Sequence, residues 1–297
     1  ATLRWMPDSR AVLPHRFDLS GFLLLAIAMV SISLSLDGLS GIGMQRALVV
    51  VLMLGGFAGL AAYWLHALRH PAPLFSPMLF RNGSFRVGLL GNLFARIGSG
   101  SMPFLIPLLL QVCLGYSPMQ AGMMMLPVAL ASMGMKRFAT PLIRSQGYRR
   151  VLVGNTLLIG VLIASFSLIG PEMPLPLKIL MLVVFGAFNS LQFTAMNTVT
   201  LKDLETTDAS AGNSMLSMVQ MLAMSMGVTV AAALLSTFEQ WLEPRPGFDT
   251  LDTFHAAFIC IGLITAASAW IFWQLEADDH PAVSYTHLRA HETKANL

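Results

Sequence analysis

Long apolar runs alternate with short polar connections along the whole chain. Eight runs stand out, at roughly 18–36, 47–67, 87–113, 119–135, 151–170, 177–200, 210–235 and 254–275. An α-helix needs about 20 apolar residues to cross a bilayer core of roughly 30 Å, and the runs are of that order. Pro103, Pro107 and Pro127 fall inside runs, which membrane helices tolerate because neighbouring groups satisfy the freed backbone. The connections carry turn residues: DGLSGIG after the first run, LGYSP after the third and GPEMPLP after the fifth. The pattern predicts an all-α polytopic membrane protein with about eight transmembrane helices.

Composition sharpens that reading. Charged residues make up 11% of the 297 and hydrophobic residues 55%, against about 25% charged in soluble domains. The two cysteines, Cys113 and Cys260, lie in apolar runs and give neither a disulfide framework nor a metal spacing. The net charge of +3 sits in short loops, so nucleic acid is not an expected partner. No signal peptide is visible in the polar start ATLRWMPDSR, which does not open on Met. Near the other end, VSYTHLRAHET resembles the translation of a sequencing-library adapter, so 283–297 is expected to be a non-native tail. A piece of a longer gene is the expectation.

Lys and Arg in the connections set orientation, because cytoplasmic loops carry the excess. One side collects Arg4, Arg10, Arg16, Arg69, Arg81, Arg86, Lys136, Arg137, Arg144, Arg149, Arg150 and Lys202; the other holds only Arg46, Lys178 and Arg245. Segment 1–17, loops 68–86, 136–150 and 201–209 and the tail are therefore expected in the cytoplasm. The acidic loop 236–253 is expected outside.

The residue that asks most of the membrane is Arg96, about 9 residues and roughly 13 Å into the third run. A charge there costs at least about 2.5–3.5 kcal/mol on insertion scales. It either lines a central cavity on a proton or substrate path, as Asn92 one turn earlier would, or is tied to carbonyls at a helix contact. In the sixth run Asn189 and Gln192 share a helical face, with Asn197 further round. In the seventh, Ser210, Asn213, Ser214, Ser217 and Gln220 form a stripe continued by Met224, Gly227 and Ala231. Such a stripe faces protein or water, as cavity lining or as interhelical hydrogen bonds. The methionine-rich GMMMLPVALASMGM suits either a permissive apolar site or plain packing. No enzyme motif is present. His66 and His70 stand four apart, yet with no carboxylate near them in sequence they read as headgroup-level polar residues, not as a metal pair. No cofactor is expected.

Several stretches carry a resemblance: RFDLSGFLLLA at 16–26, ARIGSGSMPF at 95–104, MGMKR at 133–137, GYRRVLV at 147–153, MNTVTLKDL at 196–204 and GNSMLSM at 212–218. Together they resemble the fourteen-helix branch of the major facilitator drug:proton antiporters, over about 16–275. The resemblance implies two linker helices at 18–67 and a six-helix C-terminal bundle at 87–275, with the N-terminal bundle of the same chain missing. It implies a proton-coupled exporter of amphipathic, drug-like molecules in the bacterial inner membrane, with protons and the lipid bilayer as further partners. Export of a metabolite or siderophore, or a non-transport scaffold, are the alternatives. The family's cytoplasmic pattern, roughly G-x-L-x-D-R-x-G-R-R, is matched here by TPLIRSQGYRR. Gly147, Arg149 and Arg150 fit, but Arg144 and Ser145 replace the Asp and Arg, so the latch those two form in the family is not expected.

Overall fold

The computed structural model describes residues 18–39, 45–71, 73–205, 208–242, 247 and 249–275. The expected cytoplasmic segment 1–17, Arg245 and the tail 283–297 lie outside them. The described elements are helical. Helix α1 (Leu19–Leu39) and α2 (Arg46–Arg69) pack as an antiparallel pair, held at one end by the Ser35 hydroxyl donating to the Val49 carbonyl. A 3-10 turn at Pro77–Arg81 then leads into α3 (Gly83–Val112). The Asn82 side chain starts α3 by accepting the Phe85 N–H, which satisfies one of the four N–H groups that a helix start leaves open.

The fourth apolar run is not one helix. It divides into α4 (Pro118–Met123) and α5 (Leu126–Gln146). A Ser117–Gln120 capping box opens α4. Pro127 sits in the first turn of α5, where its missing N–H costs nothing. The expected loop 136–150 is therefore mostly helix, α5 running through Pro141 to end only at Gly147. That residue has φ +80, a conformation that favours glycine. Lys136 and Arg137 thus stand on an exposed helical face, about 15 Å before the end of α5. Helix α6 (Tyr148–Ser165) follows, extended by a 3-10 turn at Phe166–Leu168, then α7 (Leu175–Leu201) and α8 (Ala209–Leu242). The expected outer loop 236–253 is shorter than its sequence suggests. Helix α8 runs on through Glu239 to stop two residues before Pro244. Asp249 and Asp252 form the capping box of α9 (Thr250–Ala267), and α10 (Ala269–Trp273) ends the described chain.

Seven of these helices are long and apolar enough to cross a membrane; α5, carrying Lys136, Arg137 and Arg144, is the eighth helix of comparable length but is more polar. The chain is an all-α polytopic membrane protein.

The helices from α3 onward form one bundle. Its chief pairings are α3 with α8, α5 with α7 and α6 with α9. Where α6 crosses α9 the backbones nearly touch. A Cβ on Gly160 would lie 2.7 Å from the Gly262 carbonyl oxygen, and one on Gly262 would lie 2.6 Å from that of Gly160. Without a hydrophobic drive between helices in lipid, such close approach is a main source of cohesion. Two apolar clusters fill the interior. One gathers Leu105, Leu109, Ile159, Phe166, Phe185 and Phe258. The other gathers Ala95, Leu152, Leu191, Ala195, Val199 and Phe272. Along α6 and α7 the polar side chains Asn155, Thr156 and Gln192 fall at the boundary between the two.

Contacts also define the two ends of the bundle. At one, the Asn82 amide donates to the Asp203 carbonyl at 2.9 Å, Lys202 lies over Tyr148 and Arg149 over Trp273. At the other, Lys178 lies over Tyr116 and His255 Nε2 is 3.0 Å from the Ile169 carbonyl.

Candidate functional site

Arg96 lies roughly 20 Å along the approximately 45 Å of α3, deeper than its run suggested, because the helix begins before the apolar residues do. It is buried, at 7% exposure. Its Nε donates to Asn92 Oδ1 at 3.0 Å, one turn earlier. Asn92 is itself fully buried and anchored, donating to the Gly88 carbonyl at 3.0 Å and reaching Thr200 Oγ1 of α7 at 3.4 Å. The guanidinium lies over the Phe193 ring of α7, 4.2 Å from its centroid, an attraction between cation and ring face. One donor is left over: Arg96 Nη2 is buried with no hydrogen-bond partner among the described residues. Phe193, by contrast, is 44% exposed, so the pair stands at the edge of the bundle interior.

Gln192 sits in a different environment. It is 3% exposed. Its Oε1 accepts from Asn155 Nδ2 at 2.7 Å and its Nε2 donates to Thr156 Oγ1 at 2.6 Å. This clamp joins α6 to α7 inside the bundle. Asn197 accepts from Gln220 Nε2 of α8 at 2.8 Å. On α7 the Ser190 hydroxyl donates to the Ser132 carbonyl of α5. Helix α7 therefore presents a polar group to each neighbour in turn, and Asn189, half-buried beside them, shares their level. Gln192 and Gln220 each bond to a side chain of a neighbouring helix.

Asn213 and Ser217 stand on the exposed face of α8 with Ser210 and Ser214. The hydroxyls of Ser214 and Ser217 bond back to the Ser210 and Asn213 carbonyls, which satisfies them without another helix. The structure thus brings Arg96 and Asn92 together, and Gln192 with α6, but leaves Asn213 and Ser217 on a separate surface. In the basic motif, Gly147 supplies the turn and Arg149 stacks 4.8 Å from the Trp273 ring, while Arg150 is exposed. Ser145 bonds locally to the Leu142 carbonyl.

Phe193, Thr200, Asn155 and Thr156 were not singled out in the sequence, since aromatic and hydroxyl residues are common in apolar runs. Asp18 escaped notice for another reason. It precedes α1 by one residue, and its carboxylate meets His66 from α2 at 3.0 and 3.1 Å. The carboxylate missing near His66 in sequence is supplied by the fold.

No family model matches the chain. Curated proteins do. It is 44% identical over 283 residues to the "Putative multidrug resistance protein MdtD" of Yersinia enterocolitica, covering 94% of this chain and 59% of that protein. The protein of the same name from Serratia proteamaculans is 43% identical over 284 residues, covering 94% and 58%. That of Salmonella heidelberg is 45% identical over 284 residues, covering 94% and 59%. The chain spans less than two thirds of the length of these relatives. With this likeness along nearly all its length and an all-helical membrane fold, the chain resembles the C-terminal part of a multidrug resistance protein of the major facilitator type.

Proposed function

We propose that this chain forms one wall of the substrate passage of a proton-coupled multidrug exporter in the bacterial inner membrane. Helices α1 and α2 serve as the linker pair, and α3 to α10 as the C-terminal bundle. In folds of this kind the site lies near the midplane between two bundles that rock about it. The observation that carries the reading is Arg96: a buried guanidinium near mid-helix, braced by Asn92, with Nη2 left open beside a half-exposed aromatic ring. Leaving a buried donor unsatisfied is costly, so an acceptor from the substrate, from water or from the second bundle completes it. Further support comes from the uncovered faces of α5 and α8. Lys136 and Arg137 are exposed on α5, and Asn213 and Ser217 on α8. Charged groups on a spanning helix are expensive against lipid and are better placed against protein or a wet cleft. Relatives named for multidrug resistance supply the substrate class.

The test is Arg96→Leu in the full-length parent, scored as drug susceptibility alongside the quantity of membrane-inserted protein. A hydrogen bond to a charged group is worth about 1.5–3 kcal/mol, so export is expected to fall by roughly ten- to a hundredfold at equal abundance. Resistance equal to wild type would show that Arg96 is structural only.

A further inference from the structure

The residue that opens α1 and the last turns of α2 bring together three metal-ligating side chains. Asp18, immediately before α1, is buried. His66 lies in the last turn of α2 and His70 is the residue just past its end, with ring centroids 5.0 Å from each other. One ligand atom from each of Asp18, His66 and His70 falls within 4.8 Å of the other two. His66 Nε2 is 3.0 Å from Asp18 Oδ1 and 3.1 Å from Oδ2. Two donors each bound about 2.0–2.1 Å from one tetrahedral ion lie about 3.3 Å apart. The pair already has nearly that separation.

We propose that Asp18, His66 and His70 form a binding site for a divalent transition-metal ion of the zinc class, completed by water. The carboxylate is oriented for this. Its Oδ1 accepts the Gly21 N–H at 2.8 Å and the Ser20 hydroxyl at 3.0 Å, outer contacts of the kind that fix a ligating carboxylate. Its Oδ2 has, besides His66, only the longer 3.3 Å bond from the Leu74 N–H, and is the oxygen that turns to the ion. An aspartate carboxyl is ionised at neutral pH. His66 binds through Nε2 as the tautomer carrying its proton on Nδ1. An open recess of about 430 Å³, lined by Ala62, Leu65, His66, Arg69 and His70, gives the ion and its waters a route in. Two imidazoles with one carboxylate suit zinc, cobalt or nickel better than magnesium or calcium. Arg69, on the wall of the same recess, opposes a dication and weakens the site. A bound ion would pin the end of α2 to the start of α1.

The experiment is titration of the purified, tag-free chain in nanodiscs with Co²⁺, followed by its visible absorption, then displacement by Zn²⁺ and by Mg²⁺. One saturable equivalent is expected, displaced by Zn²⁺ and not by Mg²⁺. His70→Gln should weaken it by at least about tenfold, Arg69→Gln should strengthen it, and His255→Gln on α9 should leave it unchanged. Asp18 and His66 also join two helices, so the half-exposed His70 carries the decision, with thermal unfolding confirming that its variant is folded. Absence of a saturable cobalt signal would overturn the site. So would a signal that survives His70→Gln, since it would come from histidines elsewhere and leave Asp18–His66 as a hydrogen-bonded helix joint.

Discussion

At the scale of single residues, what separates the polar side chains of this bundle is whether the chain itself completes them. Gln192 is completed: both ends of its amide are bonded, at 2.7 and 2.6 Å, to α6. Gln192→Leu should therefore cost stability, not transport. Interhelical hydrogen bonds in membranes average about 0.6 kcal/mol, with a maximum near 1.7. A small fall in the thermal midpoint of the purified protein, with unchanged drug resistance in the parent, is the expected result. Loss of export at normal stability would move Gln192 into the passage. Arg96 is not completed, because Nη2 lacks an acceptor. Arg96→Lys keeps the charge but loses the planar fork that both reaches Asn92 and sits over Phe193. Drug susceptibility of the parent should show only partial resistance. Full resistance would mean that charge alone matters. Both residues were legible in the sequence, since a charge or an amide inside an apolar run is conspicuous. Their partners were not. Nothing in a run of Phe and Thr marks Phe193 or Thr200 as the ones that meet Arg96 and Asn92, and 48 residues separate Asp18 from His66.

Helices were legible to the extent that hydrophobicity alone decides them. Seven of the eight runs became helices long and apolar enough to span a membrane. The fourth broke at Met124–Met125, and α5 continued past the last apolar residue of its run, because Lys and Arg are good helix formers and a run's polarity does not mark a helix's end. The same holds for α8, which passes Glu239 and ends only ahead of Pro244. Turn residues located the ends better than charges did, Gly147 being the clearest case. Which helices touch was not legible, because that depends on where small residues face one another. The α6–α9 crossing gives a sharp test. Gly262→Val forces a side chain against the Gly160 carbonyl, and overpacking of this kind costs about 1–3 kcal/mol. Gly154→Val, on the exposed side of the same α6, meets nothing within 4 Å. The first should clearly lower the thermal midpoint and the second should barely move it. Equal effects would mean that the two helices do not meet through these glycines.

For the whole molecule, the basic residues and the contacts between helix ends describe the same two faces. Asn82 with Asp203, Lys202 with Tyr148 and Arg149 with Trp273 tie together the connections that hold most of the lysines and arginines. The opposite end, where Lys178 meets Tyr116 and Asp249 caps α9, is poor in them. An excess of Lys and Arg marks the cytoplasmic side. The two basic residues that moved from the expected loop onto α5, Lys136 and Arg137, do not alter this, because Arg69, Arg81, Arg86, Arg144, Arg149, Arg150 and Lys202 remain near that end. Ser145 and Thr250 are exposed near opposite ends. Each is changed to cysteine, singly, in a background with Cys113 and Cys260 replaced by alanine. Intact cells are then treated with a membrane-impermeant thiol reagent. Thr250→Cys should be labelled at once, and Ser145→Cys only after the cells are opened. Labelling of Ser145→Cys in intact cells, with Thr250→Cys protected, would invert the protein. It would also place the His66–His70 recess, at the Arg69 end of α2, outside the cell instead of in the cytoplasm.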